Sequence, residues 1–412
     1  MAKVTIVGAG QSGLQLGIGL VQAGHDVRLV SNRTPEDVRT GKVMSSQFMF
    51  ANALDTERAL GIDFWADTCP RTEGIQFAIP HPELRGKQAL YFASRLDRPG
   101  QSVDQRVKFP RWMEHFASIG GTLEIHEATV ADLERYAGEA ELVIVAAGKG
   151  EIAGLFERDP GRSPYDQPMR ALALTYVTGM TPRPEYPAVC FNLCPGVGEY
   201  FAFSALTTTG PCEIMVLEGV PGGPMDCWAD VTTPEAHLAR SKWILETFFP
   251  PEAERCRDVE LTDAHGILAG RLPPTVRKPV GTLPSGRRVL GMADVVVLND
   301  PITGQGSNNA ARCAHAYLQA IGARADGPFD AAWMQDTFDT YWKYAQAVTG
   351  WTNALLTPPP EHVLKLLGVA SQDARVAHRF VNGFDDPRDY FEWFMDPVKA
   401  DAYLAQLAGS PS

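Results

Sequence analysis

A chain of 412 residues is too long for one compact core, so two lobes sharing a cleft are expected. Hydrophobic residues make up 45% and charged residues 21%, ordinary for a globular protein, and no apolar run approaches the roughly 20 residues of a membrane span. A formal net charge of -12 argues against a nucleic-acid partner, whose phosphates require a basic face.

The apolar run Val4 to Val7 is too short for a secretory leader and leads straight into glycines. It reads as a buried strand. Next comes Gly8-Ala9-Gly10-Gln11-Ser12-Gly13, a G-x-G-x-x-G at the mouth of a helical pattern carried by Leu14, Leu16, Leu20 and Val21. Ala23-Gly24 closes that helix, and Val27 to Val30 reads as a second strand. Gly8 permits a tight turn, Gly10 admits a pyrophosphate to the backbone, and Gly13 lets helix and strand pack closely. The free N–H groups of Gln11, Ser12 and Gly13 then face the diphosphate. A bare glycine fingerprint could merely pack a strand on a helix. The complete strand–turn–helix–strand context favours a dinucleotide.

One position departs from the fingerprint. Where the second strand should end in Asp or Glu for the adenosine ribose, this chain has Ser31-Asn32-Arg33. Asn32 can bond a hydroxyl without charge; the alternatives are a weakened adenosine end or phosphate contacts from Arg33. Asn32-Arg33-Thr34 also fits a glycosylation sequon, which carries no weight without an export signal.

Seven cysteines, Cys69, Cys190, Cys194, Cys212, Cys227, Cys256 and Cys313, form no C-x-x-C pair and no zinc set. They read as reduced, mostly core thiols, no metal is expected, and a cytoplasmic location follows as an expectation.

Leu142 to Val145 is a further apolar strand, running into Ala147-Gly148. Short strands such as Ile214 to Leu217, punctuated by Gly219-Val-Pro-Gly-Gly-Pro224, predict an antiparallel sheet between 161 and 284. Later come Gly291-Met-Ala-Asp294 and Asp300-Pro301-Ile-Thr-Gly304-Gln305-Gly306-Ser-Asn308, followed by a helix predicted from Ala310 to Ile321. Asp294 would accept hydrogen bonds from a ribityl chain, and the helix N-terminus would stabilise negative charge at a flavin pyrimidine edge. NAD enzymes have no use for such a distant loop, which favours FAD. Met334, Phe338, Tyr341, Ala345 and Val348 recur at helical spacing, more readily as core than as a cofactor box.

Taken with Ser102-Val103-Asp104-x-Arg106, Ser163-Pro164-Tyr165, Arg170-Ala171-Leu172, Pro274, Arg277 and Trp351-Thr352-Asn353, these motifs resemble the oxygenase components of two-component styrene and indole monooxygenases over nearly the whole chain. The resemblance implies an α/β fold of aromatic-hydroxylase type: a Rossmann-type FAD-binding domain (1–70, 100–160 and 285–325), a β-sheet substrate domain (71–99 and 161–284) and a C-terminal helical region (326–412). It implies cofactor contacts at Gly8, Gly10, Gln11, Ser12, Gly13, Asn32, Arg33, Arg106, Gly148, Asp294, Pro301, Gly304, Gln305, Gly306 and Asn308.

It further implies FAD delivered as FADH2, molecular oxygen as co-substrate, and epoxidation of an aromatic alkene through a flavin C4a-hydroperoxide. The flavin carries that chemistry, so no catalytic side chain is assigned. A substrate pocket is implied at Lys42, Ser45, Gln47, Met49 and Ile75. Styrene-type members carry Asn, Val, His and His at the last four of these positions. The set found here is that of indole-type members, which favours indole; the bland alternative places Met49 and Ile75 in ordinary core.

No Asp-Gly motif of the single-component hydroxylases lies between 150 and 185, and no second glycine fingerprint is present. A separate NADH:FAD reductase is therefore the expected partner, with a small aromatic substrate and no membrane; the sequence leaves a homodimer open. The rivals are a self-sufficient NAD(P)H-dependent aromatic hydroxylase and a non-catalytic FAD-binding protein.

Overall fold

The computed structural model describes residues 1–147, 150–324 and 327–409. Its first layer is a six-stranded sheet in the order Val280–Thr282, Arg288–Gly291, Leu142–Val145, Lys3–Val7, Asp26–Ser31 and Thr122–Ile125. All neighbours are parallel except the first pair, a hairpin in which Val280 lies opposite Leu290. Val4, Ile6, Leu29 and Ile144 are fully buried between flanking helices, as parallel strands covered on both faces must be.

The second layer is a nine-stranded sheet in which Ala171–Thr178, Gly210–Gly219, Gly198–Thr207 and Ala188–Cys194 run antiparallel in that order. Ala188–Cys194 then pairs in parallel with Arg71–Pro80. Alternation along the strands separates two cores. Ile214, Val216, Phe201 and Phe203 face Ile302 and the C-terminal helices, whereas Met215, Leu217 and Tyr200 pack against the helix Pro234–Phe248.

Two expected boundaries shift. Val280–Thr282 leaves the second lobe because it turns back through Leu283–Gly286 onto Arg288–Gly291. The strand Gln88–Ser102 stays in the second sheet past residue 100, through a register shift against Thr72 and Gly74, and there Met49 pairs with Gln101 and Phe48 with Ser102.

The C-terminal region is helical. Met334, Phe338, Tyr341, Ala345 and Val348 lie along the helix Ala331–Leu355, and all are buried. That stripe is core. No helix among the described residues is long and apolar enough to cross a membrane. All seven cysteines are free, five of them buried.

Candidate active site

A cavity of about 480 Å³ opens between the two sheets. Its near end is the glycine turn. Gly8 holds φ 124°, and a Cβ there would lie 2.6 Å from Ala147. Gly13 is under greater constraint, since a Cβ would sit 1.9 Å from the Gly8 carbonyl oxygen. A Cβ on Gly10, by contrast, would meet no protein atom within 4 Å and would project into the cavity that Gly10 lines. The helix Gln11–Gln22 starts here with no side-chain cap and no acidic residue in its first turn. Its leading N–H groups remain available to an anion.

The far end is built by Ala293, Asp294, Asn299, Pro301, Gly304 and Gly306. Ala293 is held at φ 49° and turns the Asp294 carboxylate into the cavity. Asp294 is open to that hollow yet enclosed by protein, and burial pushes its carboxyl up to about 6. Gly304, at φ 64°, turns the chain into the helix Gly306–Gly322, which again starts with no side-chain cap. That helix begins one turn before the expected Ala310, because Asn309 N–H already donates to the Gln305 carbonyl at 2.8 Å.

A second non-glycine residue, Gln47 at φ 33°, also has positive φ, and it too lines the cavity. Such strain persists only where surroundings enforce it. Here Tyr176 does so: its hydroxyl donates to the Ser45 carbonyl at 2.7 Å and accepts from Gln47 Nε2 at 2.8 Å.

Beyond Pro301 a smaller apolar chamber of about 40 Å³ is walled by Phe50, Ile75, Val189, Phe191, Phe201, Phe203, Ile302 and Phe384. Ser46, Phe48, Val216, Pro301 and Gly304 line both hollows, which makes the chamber an extension of the larger one.

The expected site residues divide accordingly. Gly10, Gln11, Ser12, Ser45, Gln47, Asp294, Pro301, Gly304 and Gly306 line the main cavity, and Ile75 lines the chamber. Gly8 and Gly13 shape the turn without lining it.

Gln305 and Asn308 serve as braces: Gln305 Nε2 donates to the Phe384 carbonyl, and Asn308 bridges Phe48, Phe50 and Gly304. Gly148 lies outside the described residues.

Five further expected residues also lie off the lining. Asn32 is exposed, and Arg33 points its guanidinium at the Met44 sulfur. Lys42 is exposed. Met49 turns away from Phe48 and Phe50 by strand alternation, and its sulfur accepts from Lys108 Nζ at 3.2 Å. Arg106 is buried in ion pairs with Asp104 and Asp263, and its neighbour Gln105 reaches the cavity instead.

Several contributors were not among the expected site residues: Tyr176, Leu172 and Val216 on the sheet, and Asn299, which accepts from Thr349 at 3.0 Å. Thr349 and Thr352 flank Trp351, so the Trp-Thr-Asn segment fastens the loop. Thr303 and Thr352 hydroxyls lie 2.7 Å apart, and Trp351 packs on Phe384 and Tyr390.

With two uncapped helix starts, a carboxylate at Asp294 and an apolar annex, the cavity carries groups suited to a flavin dinucleotide. Residues 148–255 match the family model described as "Styrene monooxygenase A putative substrate binding domain". A styrene monooxygenase of Pseudomonas fluorescens is 28% identical over 416 aligned positions, covering 98% of each chain.

Among solved structures, a flavoprotein/dehydrogenase from Cytophaga hutchinsonii superposes with a TM-score of 0.67 at 13% identity, covering 99% of this chain and 100% of its own. A flavin-dependent brominase gives 0.64 at 14%, covering 99% and 100%. The α/β fold is that of flavin-dependent enzymes. The end-to-end likeness in sequence supports a flavin-dependent monooxygenase of the styrene monooxygenase type.

Proposed function

We propose that this chain is the oxygenase of a two-component system: it binds FAD in the main cavity, receives it reduced from a separate NADH:FAD reductase, and epoxidises an aromatic alkene, indole in preference to styrene. Reduced FAD, when bound, supplies the activation of molecular oxygen. The glycine turn of Gly8, Gly10 and Gly13 takes the diphosphate, with N–H groups from Gln11 and Ser12. Asp294 accepts from the ribityl hydroxyls, and the Pro301–Gly306 loop receives the ring system.

The single observation that carries this reading is the apolar chamber opening directly off that loop. Cavities of roughly 150 Å³ bind benzene. At about 40 Å³ the chamber is too small alone, so an arene lies across its mouth, against Pro301 and Gly304. There Phe48 and Val216 exclude water, and the ring is held beside the cofactor. The indole preference rests on Ser45, Gln47 and Ile75 within the resemblance, with Met49 acting at most through Lys108.

The test mixes the chain with FAD, NADH, oxygen and indole, with and without an unrelated NADH:FAD reductase, and follows indigo colour and NADH loss. Colour only with the reductase is the expected result. NADH loss without reductase would favour a self-sufficient hydroxylase. FAD binding with no turnover of indole or styrene would leave a non-catalytic flavoprotein.

A further inference from the structure

Behind the Pro301–Gly306 loop, on its sheet side, three carboxyls gather around one cation. Glu199 and Glu218 lie directly opposite one another on neighbouring strands. Arg170 engages Glu199 with two bonds, Nε to Oε2 at 2.7 Å and Nη2 to Oε1 at 2.9 Å. That pair satisfies itself. Glu218 is 0% exposed, and neither of its carboxyl oxygens has a donor.

Asp300, 1% exposed, caps the loop by accepting from Ile302 N–H at 3.1 Å through Oδ1, while its Oδ2 has no donor. Glu218 and Asp300 are within hydrogen-bond reach of each other, and the charged groups acting on both are Arg170 and Glu199. Two ionised carboxylates have only acceptors, so this pair can bond only when one member is protonated.

We propose that Glu218 and Asp300 share one buried proton, and that this bond is the positioning device that holds the flavin loop against the cavity. The inference rests on the FAD reading above. With the proton in place, Glu218 donates to Asp300, Asp300 keeps its cap on Ile302, and Pro301 and Gly304 stay in the wall. Without it, two adjacent carboxylates repel and draw Asp300, with its loop, off the sheet. Neither residue lines the cavity, so both act through the loop rather than on a ligand.

Burial pushes Asp300 up to about 6 and raises Glu218 well above its ordinary range. A group whose folded value is raised contributes stability at low pH and loses it as pH rises through that value.

The experiment titrates FAD into the full chain by flavin fluorescence from pH 5.5 to 9, for the wild type and Glu218→Gln. The amide donates to Asp300 at every pH. In parallel, thermal midpoints of both flavin-free chains are recorded over the same range. Wild-type affinity is expected to weaken toward about tenfold per pH unit once the pair loses its proton, while Glu218→Gln lacks that component. The wild-type midpoint should also fall more steeply with pH.

Parallel curves for the two chains, in affinity and in midpoint, would overturn the proposal. If neither chain binds FAD at any pH, the flavin reading fails by itself, and the midpoints still decide the pair. Should Glu218→Gln not fold, Asp300→Asn, which also removes the second charge, takes its place with the same expected and opposing outcomes.

Discussion

Lys108 and Glu57 form a buried ion pair, Nζ to Oε1 at 2.7 Å with side chains 3% and 0% exposed, beneath the start of the helix that follows the glycine turn. Gln11 donates to the same Glu57 oxygen at 2.9 Å and to Gln15 at 3.1 Å. The pair therefore braces a residue of the cavity wall. Burial raises the Glu57 carboxyl, against the pull of Lys108 and of the Gln11 amide, so its charge depends on Lys108 as its counter-ion.

Removing one member should be far worse than removing both. Lys108→Met leaves a buried carboxyl without its counter-ion and should cost about 3–5 kcal/mol. The double variant Lys108→Met with Glu57→Leu should recover most of that loss. Urea unfolding of the three chains checks it, and equal losses in single and double variants would count against a buried pair.

The glycine turn predicts a split between folding and binding. Gly13→Ala places a methyl 1.9 Å from a carbonyl oxygen and should destabilise the flavin-free chain severely. Gly10→Ala meets no protein atom, so its thermal midpoint should stay close to that of the wild type. Its methyl stands in the cavity, however, and FAD affinity should fall about tenfold or more, on the scale of one lost charge-assisted contact. Thermal melts beside a flavin titration distinguish the two.

Asp294 should make the flavin-free chain less stable as pH rises through about 6. Its folded-state carboxyl is raised to about 6, so the protonated form is favoured by folding and that stability is lost on ionisation. Asp294→Asn should remove this part of the pH dependence. It should also weaken FAD binding by about tenfold, because an amide accepts hydroxyl bonds less well than a carboxylate. Unchanged FAD affinity would remove Asp294 from the cofactor's contacts.

In the chamber, Phe203 packs edge-on to Phe48 at 5.2 Å between centroids. Phe203→Leu should open space at the mouth and favour two-ring over one-ring alkenes. The expected change is about tenfold in the ratio of kcat/KM for 2-vinylnaphthalene over styrene, the range available to a shape change in an apolar pocket. An unchanged ratio would mean that the substrate does not reach this wall.

The legible parts of this protein were those whose physics is local. Val4 to Gly13 announce a strand and a phosphate-ready helix because the three glycines answer constraints within one turn of chain. Pro301 and Gly304 could be read because proline fixes its own φ and glycine readily takes the positive φ, here 64°, that turns the chain into the next helix. Tertiary contacts decided what spacing leaves open. Met49 lies between two pocket residues in sequence yet faces Lys108, since a strand turns alternate side chains to opposite sides. Arg106 gives way to Gln105 because a helix face, not residue type, selects which side chain meets the cavity.

Sequence alone thus determined the glycine turn between strand and helix and the bend at Pro301 and Gly304, because each depends on short-range backbone geometry, while the α/β fold followed from the likeness of the motifs to a known family. Only the tertiary structure decided that the apolar chamber joins that loop, that Tyr176 holds Gln47 in its strained conformation, and that Glu218 meets Asp300. Those contacts join chain segments distant in sequence, and burial, which sets their charge and their cost, exists only once the two layers have packed.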